Sequence, residues 1–220
     1  MHASGRAAVL DGTHGREDAP WVTGRWGPSV VGLIADDPAP SLDELTRKAS
    51  TVAGPGHWQS GRAGRAHLTV RALEPYADED PGPDHLARWC AALERAFIAP
   101  LRFALDGLVL SPAGVMLRCR DLDGGADAAR TSFGQELGDD GWLEDAVFET
   151  GRDPIWYCTL LHFAGPVVDP QALVEWVDAR TDLALGEVRV DTLSVCRWNL
   201  DELGMAPTAL AEVAVGAAEQ

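Results

Sequence analysis

The stretch Arg65–Arg71 reads RAHLTVR and places a histidine, His67, two residues before a threonine, Thr69. Its alternating apolar pattern predicts a strand, so both side chains are expected on one face of a sheet. A Gly-rich connector, Gly54–Gly64, leads into this strand, and a helical pattern follows at Asp84–Ile98. A histidine in this position predicts chemistry only if a second functional group faces it.

The order of predicted elements repeats within the chain. Residues 28–113 give strand, helix, strand, helix and strand, and residues 114–200 give the same order again. The apolar, Asp and Leu positions of Phe103–Leu110 coincide with those of Val188–Val195. An internal duplication explains this order better than two unrelated domains. The predicted helices are 41–52, 84–98, 127–137 and 169–179, and the predicted strands are 30–35, 67–73, 101–110, 114–119, 155–163, 183–185 and 187–198.

The duplication divides the chain into three parts. Residues 1–27 are expected to form a loose N-terminal extension. Residues 28–200 are expected to form a single bilobal domain, and residues 201–220 a C-terminal tail. Two helix starts carry capping signals: Ser41 and Glu44 have the spacing of a capping box, and Asp169 precedes a proline.

The strand of the second repeat that matches RAHLTVR is TLLHFAG, Thr159–Gly165, and it carries His162. We expect the two equivalent strands at the middle of a pseudo-two-fold sheet, where both histidines would face one cleft. One imidazole, with a pKa near ~6.5, can remove a proton from a water or hydroxyl while the other donates one to a leaving oxygen. The Thr69 hydroxyl, on the face of His67, can hold a phosphoryl oxygen.

A duplicated unit with one His-x-Thr or His-x-Ser motif in each half resembles the two-histidine (2H) phosphoesterases, which include bacterial RNA 2′,3′-cyclic phosphodiesterases once called 2′-5′ RNA ligases. The resemblance runs from about Pro28 to Trp198, and His67-Leu68-Thr69 matches the first motif in full. It implies an α+β fold of two pseudo-symmetric lobes, each an antiparallel sheet with helices outside, around a V-shaped central cleft. It also implies that two histidines open a cyclic phosphodiester as general acid and base, with no metal or other cofactor.

The second motif, His162-Phe163-Ala164, departs from the pattern because alanine replaces the hydroxyl residue. The resemblance implies that both hydroxyl groups hold the phosphate. Loss of one preorganised donor to a transition-state oxyanion costs about 2.7–4 kcal/mol. Thr159, Tyr157, the backbone N–H of Gly165 or an arginine are the candidate substitutes.

Other candidate binding residues lie near the first motif. The segment from His57 to Arg71 contains three arginines and no acidic residue, so a small anion is expected to bind there. Trp58 is a candidate to stack on a flat ligand. The predicted substrate-binding set is Thr69, Arg65, Arg71, His57, Trp58, Thr159 and Tyr157, with Arg62 as a further phosphate candidate and with no metal ligands.

The composition indicates which kinds of partner the protein is expected to bind. The net charge of −16 over 220 residues opposes binding to long nucleic acids. With no 18-residue apolar run and no secretory signal, we expect a cytoplasmic protein that acts on a small molecule and binds no membrane. Four scattered cysteines without a C-x-x-C pair predict buried, reduced thiols. The oligomeric state stays open.

Three functions are compatible with this sequence. The first is a cyclic phosphodiesterase with His67 and His162 as its acid/base pair. The second is an enzyme of the same fold that uses the pair for isomerisation, cyclisation or elimination on an uncharged small molecule, which Ala164 and the acidic charge favour. The third is a ligand-binding protein without catalysis.

Overall fold

The computed structural model describes residues 1–138 and 155–216, and it confirms the predicted α+β fold of two lobes around a cleft. The sequence also predicts an acidic connector with Asp139-Asp140 and Trp142, and these residues lie outside the described ranges. The helices are α1 (His2–Leu10), α2 (Pro20–Thr23), α3 (Ala39–Ala53), α4 (Pro83–Ala96), α5 (Ala126–Leu137) and α6 (Pro170–Asp178). The strands are β1 (Ser29–Leu33), β2 (His67–Ala72), β3 (Leu101–Ser111), β4 (Gly114–Asp121), β5 (Trp156–His162), β6 (Ala184–Val190), β7 (Thr192–Asp201) and β8 (Gly204–Ala214).

The strands form two antiparallel four-stranded sheets, ordered β2-β1-β7-β8 and β5-β4-β3-β6. These sheets do not coincide with the two sequence repeats. The first repeat gives β3 to the second sheet, and the second repeat gives β7 to the first sheet. The chain passes between the sheets at Asp191, the single residue between β6 and β7. Each lobe therefore contains strands from both repeats.

The two histidine-bearing strands lie at the edges of different sheets, so the expectation that they share the middle of one sheet is wrong. The edges of β2 and β5 meet, with the backbone N–H of His67 close to the Cys158 sulfur. The β-structure is split into two sheets at this line, because β2 pairs with β1 and β5 with β4, whereas β2 and β5 do not pair with each other. The two histidines lie on these adjoining edge strands, close enough to interact electrostatically.

The C-terminal segment is not a tail, as expected, but an edge strand. β7 extends to Asp201, and β8 pairs with it along its length from Asp201↔Gly204 to Thr192↔Ala214. The segment GMAPTALAEVA contains mostly small residues and a proline, which give little strand propensity. Pro207 is tolerated because β8 is an edge strand. Pairing with β7, the preceding strand of a β-hairpin, determines its conformation.

The N-terminal extension is also ordered, contrary to expectation. α1 packs on β3 and α6, and its Val9 is fully buried. Gly5 lies so close to Leu110 that an added Cβ would approach the backbone carbonyl to 2.4 Å. The His2 side chain accepts a hydrogen bond from the Leu110 N–H and contacts Asp178 at 3.0 Å. The residues after α1 then run across the cleft.

Of the two predicted helix caps, one forms and the other does not. The Asp169 side chain accepts a hydrogen bond of 2.9 Å from the Ala172 N–H and caps α6. The capping box at Ser41 does not form, because α3 begins two residues earlier, at Ala39. Prolines at the start of α3 favour the earlier beginning, since proline is suited to the first helical turn.

Each sheet has a face covered by helices and a face toward the cleft. The larger core lies beneath the helices and includes Leu68, Val70 and Leu117. A second, smaller apolar cluster forms on the cleft face of the first sheet. Its buried members are Val31, Cys196, Trp198 and Met205, and Trp26, Leu33 and Trp58 pack against them.

Candidate active site

His67 is buried at the start of β2 with a fixed ring orientation. Its Nδ1 donates a 2.7 Å hydrogen bond to the Arg65 carbonyl oxygen, because a carbonyl can only accept. The ring packs against Trp198, with 4.9 Å between centroids. The hydrogen bond leaves Nε2 as the ring atom that can exchange a proton with a ligand.

Thr69 shares the cleft face with His67, as the sequence predicts for residues two apart. His67 pairs with Leu33 and Thr69 with Val31, and both partners belong to the cleft-face cluster. The pairing of β2 with β1 then shifts by one residue at a bulge, since Val31 pairs with Thr69 and Val30 with Arg71. Beyond the bulge, the side chains of β2 face the opposite side of the sheet. Arg71 therefore lies toward α5, where an added Cβ on Gly134 would be 2.3 Å from its Nη1. The structure does not bring Arg71 to Thr69.

His162 ends β5 and faces the cleft from the second sheet. It pairs with Gly114, whereas Thr159 pairs with Met116, so a bulge lies between them. Gly114 and Met116 are two residues apart and share a face of β4. The bulge thus places Thr159 and His162, three residues apart, on the same face as well.

The two imidazoles interact electrostatically. Burial lowers the pKa of His67, although its hydrogen bond to Arg65 opposes this shift. Burial, and then the positive charges of His67 and Arg25, lower the pKa of His162 to about 3. Each imidazole is therefore neutral near pH 7. An anion bound between them would favour protonation of one ring.

Three tryptophans line the cleft beside the histidines. Trp26 lies at the centre of this group, with ring centroids 5.7 Å from Trp58 and 5.3 Å from Trp198. Trp26 also contacts His162 edge-on, at 4.9 Å between centroids. Trp58 is held in place because its backbone pairs with that of His162 in both directions. The cleft therefore offers flat apolar surfaces directly beside the imidazoles.

The N-terminal segment brings a carboxylate to His162. The Glu17 N–H donates to the Phe163 carbonyl oxygen at 2.7 Å, and its side chain is 3% exposed. Arg25 donates to both Glu17 carboxylate oxygens, at 2.8 and 2.9 Å, and the Trp26 indole N–H donates to one of them. Glu17 Oε1 lies 3.8 Å from His162 Nδ1.

Two of the three arginines predicted as phosphate holders, Arg62 and Arg65, have acidic partners. Arg62 donates to Asp43 at 2.6 Å. Arg65 forms an ion pair with Asp201 and donates to the Gly204 carbonyl oxygen at 3.2 Å. Arg65 lies beside the cleft, since Gly204 packs against Trp58. A phosphate at Arg65 would have to share this guanidinium with Asp201.

His57 packs against two residues of the second motif, the Phe163 ring and the Ala164 backbone. It is buried against Phe163, with 5.5 Å between ring centroids, and its Nδ1 accepts a 3.4 Å hydrogen bond from the Ala164 N–H. His14, expected in the loose extension, also packs against the Phe163 ring, and its Nε2 bonds to the Gly165 carbonyl oxygen. Together these contacts fix the backbone that follows His162.

The two β5 candidates lie at different distances from His162. Tyr157 pairs with Arg118, four residues along β4 from the partner of His162, or about 13 Å, which is too far to share one phosphate with His162. Thr159 is buried and pairs with Met116, two residues along β4 from that partner, or about 7 Å. Both residues lie on the face of β5 that carries His162, and Thr159 is the nearer of the two.

The remaining sequence expectations concern metals, thiols and membranes. Within residues 1–138 and 155–216, no His, Cys, Asp and Glu side chains cluster in the number that a metal ion needs. The four cysteines are free, and three are buried. None of the helices in the described ranges is long and apolar enough to cross a bilayer.

The sequence interpretation missed Glu17, Arg25 and Trp26, and it gave Trp198 no role. The first three lie in a segment interpreted as a loose tail, with no strand or helix pattern to place it. The one local signal was the run of polar and aromatic residues at Glu17–Trp26 immediately before the first predicted strand. Such a run does not by itself indicate which surface it covers.

The architecture agrees with the fold that the sequence resemblance implied: two antiparallel sheets with a histidine on each adjoining edge strand. No protein-family model and no curated protein matches the chain by sequence. Among solved structures, the chain is similar to TT0787 of Thermus thermophilus, with a TM-score of 0.63 and 16% identity, over 88% of this chain and 100% of that one.

Two further solved structures have the same fold. One is a phosphoesterase with a TM-score of 0.56 and 13% identity, matched over 86% of this chain and 98% of its own. The other is E. coli LigT in complex with NADP+, with a TM-score of 0.55 and 13% identity, over 86% and 99% of the two chains.

Proposed function

We propose that this protein is a metal-independent phosphoesterase that opens a 2′,3′-cyclic phosphate nucleotide or a related small phosphodiester. The proposal rests on one observation: His67 and His162 lie on adjoining edge strands of the two sheets, close enough to interact electrostatically. The 2H phosphoesterase fold around the pair supports the same chemistry.

In the proposed reaction, a water oxygen forms a bond to phosphorus and the bond from phosphorus to one ribose oxygen breaks. One imidazole takes the proton of the attacking water, and the other gives its proton to the departing ribose oxygen. Thr69, on the face of His67, donates a hydrogen bond to a phosphoryl oxygen. The hydrolysis is balanced because one proton is taken and one is given.

A small nucleotide fits the cleft better than a polymer does. Trp26 and Trp58, both partly exposed, offer flat surfaces for a base beside His162. The net charge of −16 repels a long phosphate backbone. The fold neighbour E. coli LigT has been crystallised with 3′-AMP, which makes small nucleotides the first ligands to test.

The test is ³¹P NMR of 2′,3′-cyclic nucleotides, and of short RNAs ending in a cyclic phosphate, incubated with the full chain and a chelator. We expect ring opening that His67→Ala and His162→Ala each abolish. His85→Ala is the matched control, because His85 is an exposed histidine in an ion pair with Glu74. Turnover that survives either cleft substitution, or no turnover by folded protein, contradicts the proposal.

A second candidate function follows from the charge balance of the cleft. Arg25, Arg62 and Arg65 each have a carboxylate partner, and the motif residue Ala164 has no hydroxyl. These features favour an uncharged, flat substrate on which the histidine pair catalyses isomerisation, cyclisation or elimination. Binding of an uncharged aromatic compound in competition with 3′-AMP, without phosphodiesterase activity, would support this second function.

A further inference from the structure

We propose that Glu17 is a positioning residue for His162: in the working state its carboxylate accepts a hydrogen bond from Nδ1–H and holds the ring in that tautomer, so that Nε2 exchanges the proton. This inference rests on the proposed function, because it assigns the proton-transfer atom of the same site. It concerns a residue from outside both histidine motifs. The N-terminal segment is accordingly a part of the active site.

The first argument is the unequal hydrogen bonding of the two histidines. His67 Nδ1 donates to a backbone carbonyl, which fixes its tautomer. His162 Nδ1 is equally buried but has no hydrogen-bond partner among the described residues. A buried polar atom without a partner is costly, so its surroundings must supply one in the working state. Glu17 Oε1, at 3.8 Å, is the carboxylate in position to do so.

The second argument is that Glu17 is itself firmly held. Its side chain is 3% exposed, and its oxygens accept bonds from Arg25 and from the Trp26 indole. Its backbone N–H bonds to the carbonyl oxygen of Phe163, the residue after His162. A movement of about 1 Å converts the 3.8 Å contact into a hydrogen bond of ordinary length.

The third argument concerns charge. The charged and titratable groups that face His162 in the described structure are Glu17, Arg25 and His67. Arg25 and a protonated His67 both oppose a positive charge on His162, whereas Glu17 favours it. Of these three groups, Glu17 alone carries a charge of the sign that favours an imidazolium, although burial of the ring still lowers the pKa of His162.

The tautomer can be measured directly, without a substrate, by ¹⁵N–¹H correlation of the histidine rings in the full chain near pH 7. We expect the Nδ1–H tautomer of His162 in the wild type. In Glu17→Gln, Arg25 still donates to the remaining oxygen, so the amide NH₂ faces His162 and favours the Nε2–H tautomer. Glu17→Ala, which removes the acceptor altogether, should give the same change.

Asp178→Asn is the matched control, because Asp178 anchors the N-terminal segment from α6, through His2 and Arg6, rather than beside His162. It should leave the tautomer unchanged. An Nε2–H tautomer in the wild type, or an unchanged tautomer in both folded Glu17 variants, would overturn the inference.

Turnover gives the second readout. Glu17→Gln should lower kcat by about 10–100-fold with little change in KM, as loss of an orienting partner does at other sites. An unchanged kcat with 2′,3′-cyclic nucleotides would contradict the positioning role. If no variant and no wild-type protein turns over, the proposed function fails, whereas the tautomer experiment still decides the role of Glu17.

Discussion

Trp26 lies edge-on against the imidazole of His162, with 4.9 Å between ring centroids, while its own backbone has a φ of 68°. A positive φ is uncommon for a bulky residue, and it costs about 1–2 kcal/mol relative to ordinary backbone. The contacts of the indole with Trp58, Trp198 and Glu17 offset this cost. The N-terminal segment therefore occupies the cleft through a strained but well-packed residue.

The strained backbone of Trp26 predicts that a glycine at this position is more stable than an alanine, which is the reverse of the usual order. Trp26→Ala and Trp26→Gly both lose the indole contacts, but only glycine adopts a φ of 68° without strain. We expect Trp26→Gly to be more stable than Trp26→Ala by about 1 kcal/mol in urea unfolding. At exposed Trp21, within α2, the usual order with alanine more stable is expected. The usual order at Trp26 would show that the strain is absent.

Stability should fall as the pH is lowered through the range of the buried histidines. Because burial lowers the folded-state pKa of His162 to about 3, the unfolded chain binds the proton first, near pH 6.5. The stabilisation is fully present above pH 6.5 and is lost toward pH 3, by up to about 1.4 kcal/mol per pH unit. Urea unfolding between pH 7 and 5 measures this slope.

The matched comparison is His162→Asn, which removes the titrating ring, against Thr69→Ser, which changes a neutral residue of the same cleft. The slope should flatten in the first variant and persist in the second. An identical slope in wild type and His162→Asn would refute the assignment to His162.

Binding of a phosphate anion should be coupled to proton uptake. Both histidines have a lowered pKa, so the pair is neutral near pH 7. An anion between them favours the charged form of one ring. Calorimetry of 3′-AMP binding in buffers of different ionisation enthalpy should report uptake of about one proton. Uptake should disappear in the His67→Ala, His162→Ala double variant, and its absence in the wild type would contradict the pairing.

The Thr69 hydroxyl should contribute to catalysis through one hydrogen bond. Thr69→Val keeps the shape of the side chain and removes the donor, so we expect kcat/KM to fall by about 10²–10³-fold. Thr69→Ser retains the hydroxyl and should keep most of the activity. Steady-state kinetics with a 2′,3′-cyclic nucleotide distinguishes the two variants. Equal activity of the valine and serine forms would exclude a role in phosphate binding.

A hydroxyl at position 164 should restore the second of the two hydroxyl groups that hold the phosphate in the proposed reaction, the first being that of Thr69. The backbone there is held by the bond from the Ala164 N–H to His57 Nδ1, so Ala164→Ser is expected to fold without rearrangement. We expect an increase of kcat of at most about 10²–10³-fold. Ala164→Val, which adds bulk without a donor, is the control. An increase in both variants, or in neither, would argue against a clamp at this position.

The fold could be predicted because its signals are local. Apolar periodicity marked the strands around His67 and His162 and the helices between them, and the repeated order indicated the duplication. β8 could not be predicted in this way. Its residues are small and its proline disfavours a strand, so pairing with β7 alone determines its conformation.

The position of the N-terminal segment was equally inaccessible to the sequence. α1 has a weak amphipathic pattern, and the residues that follow have no periodicity at all. They are ordered by contacts with residues far along the chain, such as Glu17 with Phe163 and Gly15 with Pro112. Bulges within strands could not be predicted from the sequence either. In β2, a single inserted residue turned Arg71 toward α5.

The amino-acid sequence by itself determined the duplicated strand and helix order and the equivalence of the strands that carry His67 and His162, because side-chain periodicity along each element is a local property. Only the tertiary structure decided that those strands meet as edges of two sheets and that Glu17 and Trp26 lie against His162. These contacts join residues far apart in the chain, and their energies come from packing and desolvation that exist only once the chain is folded.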